Sequence, residues 1–518
     1  MKLTNYINEK QQWIDKGYII PSYDREKMIQ TTKAAPVWVH FGSGNIFRSF
    51  FAPLQETLIE KSYADKGIVV VGRRVTEEIE LAYNPFDALS ILVTLKAKGD
   101  AEKQIVGSVA EALSIDDLSG ADWERLLSIF ENPSLQMVSF TITEKGYADR
   151  SDKGVMAQAA ALCYHRFQHG ALPLALVSQD NCSQNGQKLM DAILDVAGKW
   201  QTEGKISADF IAYLKDSKKI GFPWSMVDKI TPRPDAKISA SLTADGAEDM
   251  APIITSTGTY TAAFVNAEEA QYWIVEDWFP AGRPSLEKAG VIFTDRDTVE
   301  KTEQMKVCTC LNPLHTALAV LGCILGYETI ADEMKDEDLV NLIRHLGFVE
   351  GLPVVVNPGI LSPEEFLTQV LEIRFPNPYI PDTPARIASD TSQKLSIRFG
   401  ETIAAYMKKP EGTSVLRAIP VVLAGWLRYL TGLKDDGQVF EKSPDPRMDE
   451  VSAYVKNIKI GDKGPFYDAL DPLLHDAGIF GVDLYDAGLA KPVHDIFSVM
   501  IGETGGVRKI LKSFSTGK

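Results

Sequence analysis

Residues 40–50 read HFGSGNIFRSF, and this stretch decides the fold. A short apolar run at 37–40 leads into it, and a helix-like pattern at 46–61 comes after it. Small residues in such a turn let the backbone approach a pyrophosphate, whose charge the N-terminus of the next helix stabilises. A second β-branched run follows at 68–71. Strand, glycine turn, helix and strand together are typical of one βαβ unit.

The glycine turn leaves the identity of a nucleotide open. Gly42 and Gly44 supply two of the three small residues of the G-x-G-x-x-G fingerprint, but Phe47 takes the third place, so an ordinary tight turn is the alternative. Enzymes that use NAD place an acidic residue after the second strand to bind the ribose hydroxyls. Arg73 and Arg74 stand there instead. Either they favour a 2′-phosphate, as in NADP, or they are two solvated arginines at a strand end.

Outward from this unit, the first half of the chain alternates strands with helices. Helical patterns at 123–130 and 185–199 separate β-branched runs at 88–95, 137–143 and 174–178. Such alternation is typical of a parallel sheet covered by helices.

Beyond about residue 298 the pattern changes to long apolar segments with helical periodicity. These segments lie at 313–325, 338–346, 363–373, 414–430 and 465–474. The predicted fold class is therefore α/β plus α. A dinucleotide-binding domain with extensions is expected over residues 1–297, and a mostly helical catalytic domain over 298–518. The stretch at 280–291, which contains glycine and proline, is the boundary zone.

Composition excludes several classes of function. The chain has 518 residues, 45% of them hydrophobic and 24% charged, with a net charge of -16. An acidic surface repels nucleic-acid phosphates and anionic lipid, so we expect neither as a partner. The apolar stretch at 314–325 is too short to span a bilayer. Five scattered cysteines argue against a disulfide framework, and the N-terminus lacks the apolar core of a signal peptide, so a cytoplasmic location is expected.

The sequence NPLH at 312–315 is the most informative local motif. Asn312 is a favoured N-cap and proline is favoured at the first helical position, so a helix is predicted to begin here. Lys306 lies six residues earlier. A buried lysine with a lowered pKa can exchange a proton with an alcohol, while the Asn312 amide and the His315 imidazole can hold the substrate oxygen. The alternative is a simple cap, a helix-end histidine and a surface lysine.

Two other groups of residues are weaker candidates. Cys308 and Cys310 lie near His315 but lack a second pair at zinc spacing, and apolar surroundings raise a thiol pKa, so we expect neither a metal nor a thiol nucleophile. The segments at 143–147 and 180–181 each follow a strand, where open α/β sheets bind ligands. Simple turn chemistry is the alternative for both.

These motifs together resemble the polyol-specific long-chain dehydrogenases. The stretch at 40–48 is similar to that family's G-x-G-x-F-x-R turn, with Ile46 in place of the usual phenylalanine. Further segments resemble family signatures in the expected order: NPFDALSILVTL, VSFTITEKGY, SQDNCSQNG, FPWSMVDKITPRP, GRPSLEKAGVIFTD, LNPLHTALAVLGCILGY and VVLAGWLRYLTG.

The resemblance implies a Rossmann-type N-terminal domain, a mostly helical C-terminal domain and a metal-independent enzyme that uses NAD or NADP. It implies that the residues of the catalytic site are Lys306, Asn312, His315, Asn181, Glu144 and Asp228. The residues that it implies for the cofactor site are Gly42, Gly44, Asn45, Ile46 and Phe47, with Arg73 and Arg74.

One departure concerns the lysine. The family pattern places its lysine five residues before the asparagine and a glycine after that asparagine. Here the gap is six residues, and Pro313 replaces the glycine. A π-bulge or a kink before the proline can absorb the extra residue. We therefore expect Lys306 to keep the role of acid and base.

The substrate is predicted from IASDTSQKLSIRF at 387–399, which resembles the corresponding stretch of fructuronate reductases. Lys394 and Arg398, with Arg374 upstream, could supply cations for a carboxylate, which arginine binds with two parallel hydrogen bonds. The alternative is a solvated basic face on a helix of the C-terminal domain. A keto-uronate is therefore expected as the small-molecule substrate. The alternatives are a tagaturonate reductase, a mannitol 2-dehydrogenase and a non-catalytic nucleotide-binding sensor. The protein is expected to be a monomer or a small homo-oligomer.

Overall fold

The computed structural model describes residues 1–72, 76–96, 99–115 and 119–516. The chain divides into two compact units, Met1–Glu300 and Lys301–Lys518. The division falls inside one helix, Arg296–Gln304.

All the named strands belong to the first unit. In chain order they are β1 (Tyr18–Ile19), β2 (Trp38–Phe41), β3 (Ile68–Gly72), β4 (Ser90–Leu95), β5 (Ala101–Val106), β6 (Val109–Ser114), β7 (Met137–Phe140), β8 (Leu174–Ser178), β9 (Ile220–Gly221), β10 (Ser225–Asp228), β11 (Ile253–Ile254), β12 (Tyr260–Thr261), β13 (Phe264–Glu268), β14 (Tyr272–Glu276) and β15 (Ile292–Thr294).

The central sheet has six strands in the order β6-β3-β2-β7-β8-β9 among the described residues, and every neighbouring pair is parallel. Each residue of β2, β3, β7 and β8 is buried, which is why these strands read as continuous apolar runs rather than as alternating ones. The carboxyl ends of β2, β7 and β8 lie side by side at one edge of the sheet.

Three smaller sheets complete the first unit in the part of the chain that is described. Their strand orders are β1-β5-β4-β13, β10-β14-β15 and β11-β12. The apolar run at 88–95 forms β4, but outside the central sheet, because β4 pairs antiparallel with β5, the next strand in the chain. The sequence pattern identified this strand and misplaced it.

The α-helices of the first unit cover its sheets, and the last of them extends into the second unit. They are α1 (Lys10–Asp15), α2 (Arg25–Ala34), α3 (Ala52–Glu60), α4 (Thr76–Ala82), α5 (Ala121–Glu131), α6 (Thr143–Ala148), α7 (Val155–Gln168), α8 (Asn185–Thr202), α9 (Ala208–Lys215), α10 (Ala236–Ala244) and α11 (Arg296–Gln304).

The second unit is helical, as the long periodic segments predict. Between residues 301 and 516, all of which are described, the only β-pairing is an isolated bridge between Leu433 and Val439. The α-helices are α12 (Asn312–Leu325), α13 (Ile330–Glu333), α14 (Glu337–Arg344), α15 (Pro363–Gln369), α16 (Pro384–Ile387), α17 (Glu401–Met407), α18 (Ala418–Tyr429), α19 (Met448–Ala453), α20 (Tyr467–Leu474), α21 (Ala477–Phe480), α22 (Ala490–Gly502) and α23 (Gly506–Thr516).

Several helices contain π-helical turns, which are rare and often mark functional sites. One follows the glycine turn in the first unit, and the others lie in the second. They are Phe47–Phe51, Met305–Cys310, His345–Gly351, Val370–Arg374 and Ser396–Gly400. Four of the predicted site residues lie on such turns: Phe47, Lys306, Arg374 and Arg398.

One helical run among the described residues, Arg296–Leu325, is long and apolar enough to cross a membrane by length and composition. It is longer than the apolar stretch at 314–325 because α11, the π-turn and α12 follow one another with only Leu311 between the last two. Within this run, 72% of the apolar window is buried inside the protein. This run is therefore buried to the extent that is typical of a helix in a protein core.

Candidate active site

The glycine turn follows β2, and its geometry requires glycine. Gly42 has a φ of 131°, and a Cβ at this position would lie 2.6 Å from the Thr141 carbonyl oxygen. At Gly44 a Cβ would meet nothing within 4 Å, so the turn is open on that side. The chain becomes helical at Asn45.

Side chains beneath the turn fix its shape. The Ser43 hydroxyl donates to a Glu78 carboxylate oxygen at 2.6 Å, and the Tyr83 hydroxyl donates to the Ser43 carbonyl at 2.7 Å. The first backbone N–H groups of a helix have no partner within the helix, so they can bind an anion. The open face at Gly44 and this helix start fit the pyrophosphate of a dinucleotide. The predicted ribose-binding pair, Arg73 and Arg74, lies outside the described residues.

The turn rests on a buried histidine and on the residues that open the next helix. His40 contacts the Ser139 hydroxyl at 2.7 Å and the Thr141 hydroxyl at 2.9 Å, and its ring stacks on Phe47 with 4.3 Å between centroids. Burial lowers the pKa of His40 to about 3. Ile46 is half-buried beside the same core, so Ile46 and Phe47 anchor the start of the helix on that core.

Glu144 and Asn181 lie at the same edge of the central sheet as the glycine turn, after β7 and β8. Both side chains are exposed. Glu144 accepts a hydrogen bond from Lys188 Nζ at 3.4 Å.

The sequence placed Asp180 in a candidate ligand-binding segment but did not predict that this residue organises the edge. Asp180 accepts hydrogen bonds from the Ile142 and Thr143 amides, both at 2.9 Å, and from the Tyr147 hydroxyl at 2.6 Å. Burial raises its pKa despite these bonds. Asp180 thus holds the start of α6, which carries Glu144. An acidic residue after a strand and before a helix-starting loop was the available signal.

Asn185 performs a similar task on the other side of this loop. Its side-chain amide donates to the Asp180 carbonyl at 3.0 Å and to the Ser225 carbonyl at 2.8 Å, and its oxygen accepts from the Ser225 amide at 2.9 Å. These bonds connect the end of β8 to the start of β10. Asp228, predicted near the site, ends β10 and is buried.

In the second unit, Lys306 lies on the π-turn Met305–Cys310 and only 1% of it is exposed. The Leu311 amide donates to the Lys306 carbonyl at 3.0 Å, which is the five-residue bond of a π-turn. A π-turn accommodates one residue more than an α-turn. The structure therefore accommodates the extra residue between Lys306 and Asn312 with a π-turn, as the sequence predicts.

The predicted cap at Asn312 is wrong. Asn312 is the first residue of α12 rather than its N-cap, and no side chain caps this end. The reason is that the π-turn runs almost directly into α12, with only Leu311 between them, so no separate helix N-terminus needs a cap. The Asn312 side chain is half-buried.

His315, one turn into α12, is surrounded by cations. Burial, and then the charges of Arg398, Arg386, Arg374 and Lys394, lowers its pKa to about 3. The imidazole is therefore neutral at physiological pH. Its Nε2 lies 3.5 Å from an Asp382 carboxylate oxygen.

The three predicted cations, Arg374, Lys394 and Arg398, thus all act on His315 through their charges, in a protein whose net charge is -16. Burial lowers the pKa of Arg398 to about 10, and it also lowers the pKa of Lys394. Arg398 donates to the Thr316 hydroxyl, and Lys394 Nζ donates to the Ser389 carbonyl at 2.5 Å. A ligand carboxylate would gain charge-assisted hydrogen bonds here.

Arg386 is a fourth cation, which the sequence reasoning missed. It forms an ion pair with Asp382, four residues earlier, and Asp382 is almost fully buried. This pair positions one acidic group between His315 and the solvent-exposed Arg386. The spacing of four residues between opposite charges was the available signal.

The thiols near His315 have raised pKa values. Burial raises the pKa values of Cys308 and Cys310 to about 12. This agrees with the expectation that neither is a nucleophile.

Two family models match the chain. The model described as the mannitol dehydrogenase Rossmann domain matches residues 37–288, and the model described as the mannitol dehydrogenase C-terminal domain matches residues 298–495. Together they cover most of the chain.

Relatives and solved structures agree with the two models. The chain is 48% identical to a D-mannonate oxidoreductase of Thermotoga maritima, over 98% of this chain and 97% of that protein. It is 28% identical to a D-mannonate oxidoreductase of Escherichia coli, with 90% and 91% covered.

The solved structures confirm the predicted fold class. A D-sorbitol dehydrogenase in substrate-free form matches with a TM-score of 0.77 and 25% identity, covering 96% of this chain and 97% of that one. Pseudomonas fluorescens mannitol 2-dehydrogenase, in a ternary complex with NAD and D-mannitol, matches with a TM-score of 0.71 and 24% identity, covering 100% of both chains. The chain therefore belongs to the mannitol dehydrogenase family.

Proposed function

We propose that the chain is a keto-uronate reductase that interconverts D-fructuronate and D-mannonate. As a member of the mannitol dehydrogenase family it is an oxidoreductase that acts on a CH–OH group. The observation that carries the substrate proposal is the group of cations around His315, formed by Arg374, Lys394, Arg398 and Arg386. A neutral polyol has no charge to place there, whereas a uronate has a carboxylate. The similarity to a D-mannonate oxidoreductase supports the same substrate class.

In the proposed reaction the keto carbon gains a hydride and its oxygen gains a proton. The nicotinamide cofactor, when bound, supplies the hydride. Lys306, which is buried, donates the proton from its Nζ to the developing alkoxide. In the reverse direction the neutral amine takes the proton from the alcohol.

The amide of Asn312 is proposed to hold the substrate oxygen as negative charge develops on it, because an amide N–H group aimed at that oxygen stabilises the transition state. His315 is neutral, so its imidazole can donate one hydrogen bond and accept another. This suits it to orienting a substrate hydroxyl group. Asp382, 3.5 Å from its Nε2, is proposed to fix the orientation of the ring.

For the cofactor we propose NAD, with NADP accepted as well. The glycine turn with its open side at Gly44 fits a dinucleotide pyrophosphate. The two successive arginines at 73 and 74 support the acceptance of a 2′-phosphate. A preference for NADH above about a thousandfold in kcat/KM, worth about 4 kcal/mol, would contradict this part of the proposal.

The Arg398→Ala variant tests the substrate proposal. It should lower kcat/KM for a hexuronate. The corresponding loss of transition-state stabilisation should be about 1.5–3 kcal/mol, the usual contribution of a hydrogen bond to a charged group. Activity on a neutral ketohexose should change far less.

Arg344→Ala is the matched control, because Arg344 is 45% exposed and pairs with Glu372 at 3.5 Å on the surface of the same unit. It should leave both activities unchanged. If Arg398→Ala reduces both substrates in equal proportion, Arg398 supports the fold and does not select the carboxylate.

A further inference from the structure

Two histidines and a glutamate meet at the C-terminal ends of α5 and α7 in the first unit. His165 Nε2 lies 2.7 Å from a Glu131 carboxylate oxygen, and His169 Nε2 lies 3.5 Å from the same oxygen. Each of the three residues has one possible ligand atom, and these three atoms lie within 4.8 Å of one another. In the described part of the chain, no other group of three histidine, cysteine or acidic residues meets this condition. The cluster takes no part in the reaction proposed above.

The helix supplies the two histidines at the spacing that a chelating pair needs. His165 lies in the last turn of α7, and His169, four residues later, is the residue that ends it. Residues four apart lie on one face of a helix, and paired histidines at this spacing bind zinc in metalloproteases. The two imidazole rings lie 4.1 Å apart between centroids.

The second nitrogen of His169 is already committed. Its Nδ1 lies 2.8 Å from the His165 carbonyl oxygen, which can only accept, so Nδ1 carries the proton. The other ring nitrogen, Nε2, faces Glu131 and is the atom that would bind a metal. Metal-bound histidines commonly donate their other N–H to a backbone carbonyl in this way, because it fixes the tautomer and the orientation of the ring.

A buried arginine holds the backbone around the cluster. The Arg166 guanidinium donates to the Phe130 carbonyl at 2.6 Å and to the Asn132 carbonyl at 3.1 Å, on either side of Glu131. It also donates to the Leu172 carbonyl at 3.1 Å and to the Pro173 carbonyl at 2.8 Å, just beyond His169. The ends of α5 and α7 are thus tied together before any ligand binds, which lowers the entropy lost on binding.

We propose that Glu131, His165 and His169 bind one zinc ion, with water in the fourth position. Two imidazoles and a carboxylate form a known zinc ligand set, with metal–ligand distances of about 2.0–2.2 Å. A tetrahedral site with such distances places its ligand atoms about 3.3 Å apart. The pair at 3.5 Å already fits, while the pair at 2.7 Å must open slightly as zinc replaces the proton between His165 and Glu131.

The ion would join the ends of two helices that cover the central sheet, and so would stabilise the first unit. The net charge of -16 favours the approach of a cation. An ion that binds only the folded state raises its stability by mass action. Zinc is therefore expected to affect thermal stability rather than turnover.

The test uses the full chain, stripped with a chelator and equilibrated by dialysis against zinc. The wild-type protein should bind about one zinc ion, and its Tm should rise by a few degrees in saturating zinc. His169→Ala, His165→Ala and Glu131→Gln should each bind zinc more than about tenfold more weakly, and their Tm should not respond to zinc. Their Tm without zinc and their activity show whether the variants fold.

His475→Ala is the matched control, because His475 is 53% exposed and lies 2.7 Å from the Asp483 carboxylate without belonging to a group of three. It should bind zinc as the wild type does. The proposal is overturned if the wild type binds no zinc, or if the three variants bind zinc with unchanged affinity, which would place the ion on other residues such as the thiols.

Discussion

Lys306 is the residue on which the proposed proton transfer depends. Replacing it with alanine should lower kcat by roughly two or more orders of magnitude, the usual contribution of general acid–base catalysis. Binding of the reduced cofactor, measured by its fluorescence, should change little, since the proposed role is in proton transfer alone.

The control is Lys335→Ala, because Lys335 is 74% exposed and pairs with Asp332 on the surface. It should keep full activity. Near-normal turnover of Lys306→Ala would mean that another group supplies the proton.

His40 provides a test of the buried polar contacts beneath the glycine turn. The pKa of His40 is about 3 in the folded protein and near 6.5 in the unfolded chain. Between these two pH values the unfolded chain therefore binds a proton at His40 and the folded protein does not. This contribution to stability is present above pH 6.5 and is lost as the pH falls towards 3. Between pH 7 and pH 5, His40→Gln should lose about 2 kcal/mol less stability than the wild type, measured by urea unfolding.

The exposed His475 provides the comparison, and His475→Gln should follow the wild-type pH dependence. Equal losses in all three proteins would show that His40 is protonated in the folded state.

The sequence identifies residues whose roles are local and misses those whose partners are distant. Lys394 and Arg398 are found because they lie four residues apart on one helical turn. That Arg374 joins them depends on how the helices of the second unit pack, which no local pattern encodes. Asn312 was assigned as a cap because asparagine usually caps helices; the preceding π-turn removes that need.

At the scale of the element, α18 begins on a carboxylate from elsewhere in the chain. Glu350 is 1% exposed and accepts hydrogen bonds from the first amides of this helix, including Ala418 at 2.6 Å and Ile419 at 2.9 Å. A negative charge at a helix N-terminus is stabilising. Glu350→Gln should lower the free energy of unfolding by about 1.5–3 kcal/mol, as measured by urea unfolding.

Glu372→Gln is the control for this variant, since Glu372 is 55% exposed. A surface change of this kind should stay within about 0.5 kcal/mol of the wild type. If Glu350→Gln is no worse than Glu372→Gln, the carboxylate does not stabilise the start of α18.

The elements themselves were predictable where their periodicity is long. The run at 174–178 matches β8, and the helix predicted at 185–199 is α8, slightly longer. The strands that the sequence patterns missed include β1, β9, β11 and β12, which have two residues each, too few to show any alternation. The π-turn at Lys306 was an exception among irregular features, because a shift of one residue in a motif pointed to it.

At the scale of the whole molecule, the change from β-branched runs to long apolar segments predicted an α/β half and a helical half. That change is visible in sequence because a buried parallel sheet and a helical bundle bury apolar residues with different periods. The arrangement of the four sheets found among the described residues of the first unit was not predictable, since strand pairing depends on contacts between distant segments. The group of cations around His315 is likewise a property of the folded second unit.

The most direct test of the account is the turnover of D-fructuronate, D-tagaturonate and D-fructose by the wild-type protein, with NADH and with NADPH. D-fructuronate should have the highest kcat/KM. The kcat/KM for D-fructose should be lower by about tenfold or more, which is the effect of losing at least one hydrogen bond to a charged group. Both cofactors should support the reaction. Turnover of D-fructose at or above the rate for both keto-uronates would contradict the proposal that the cations around His315 select a carboxylate.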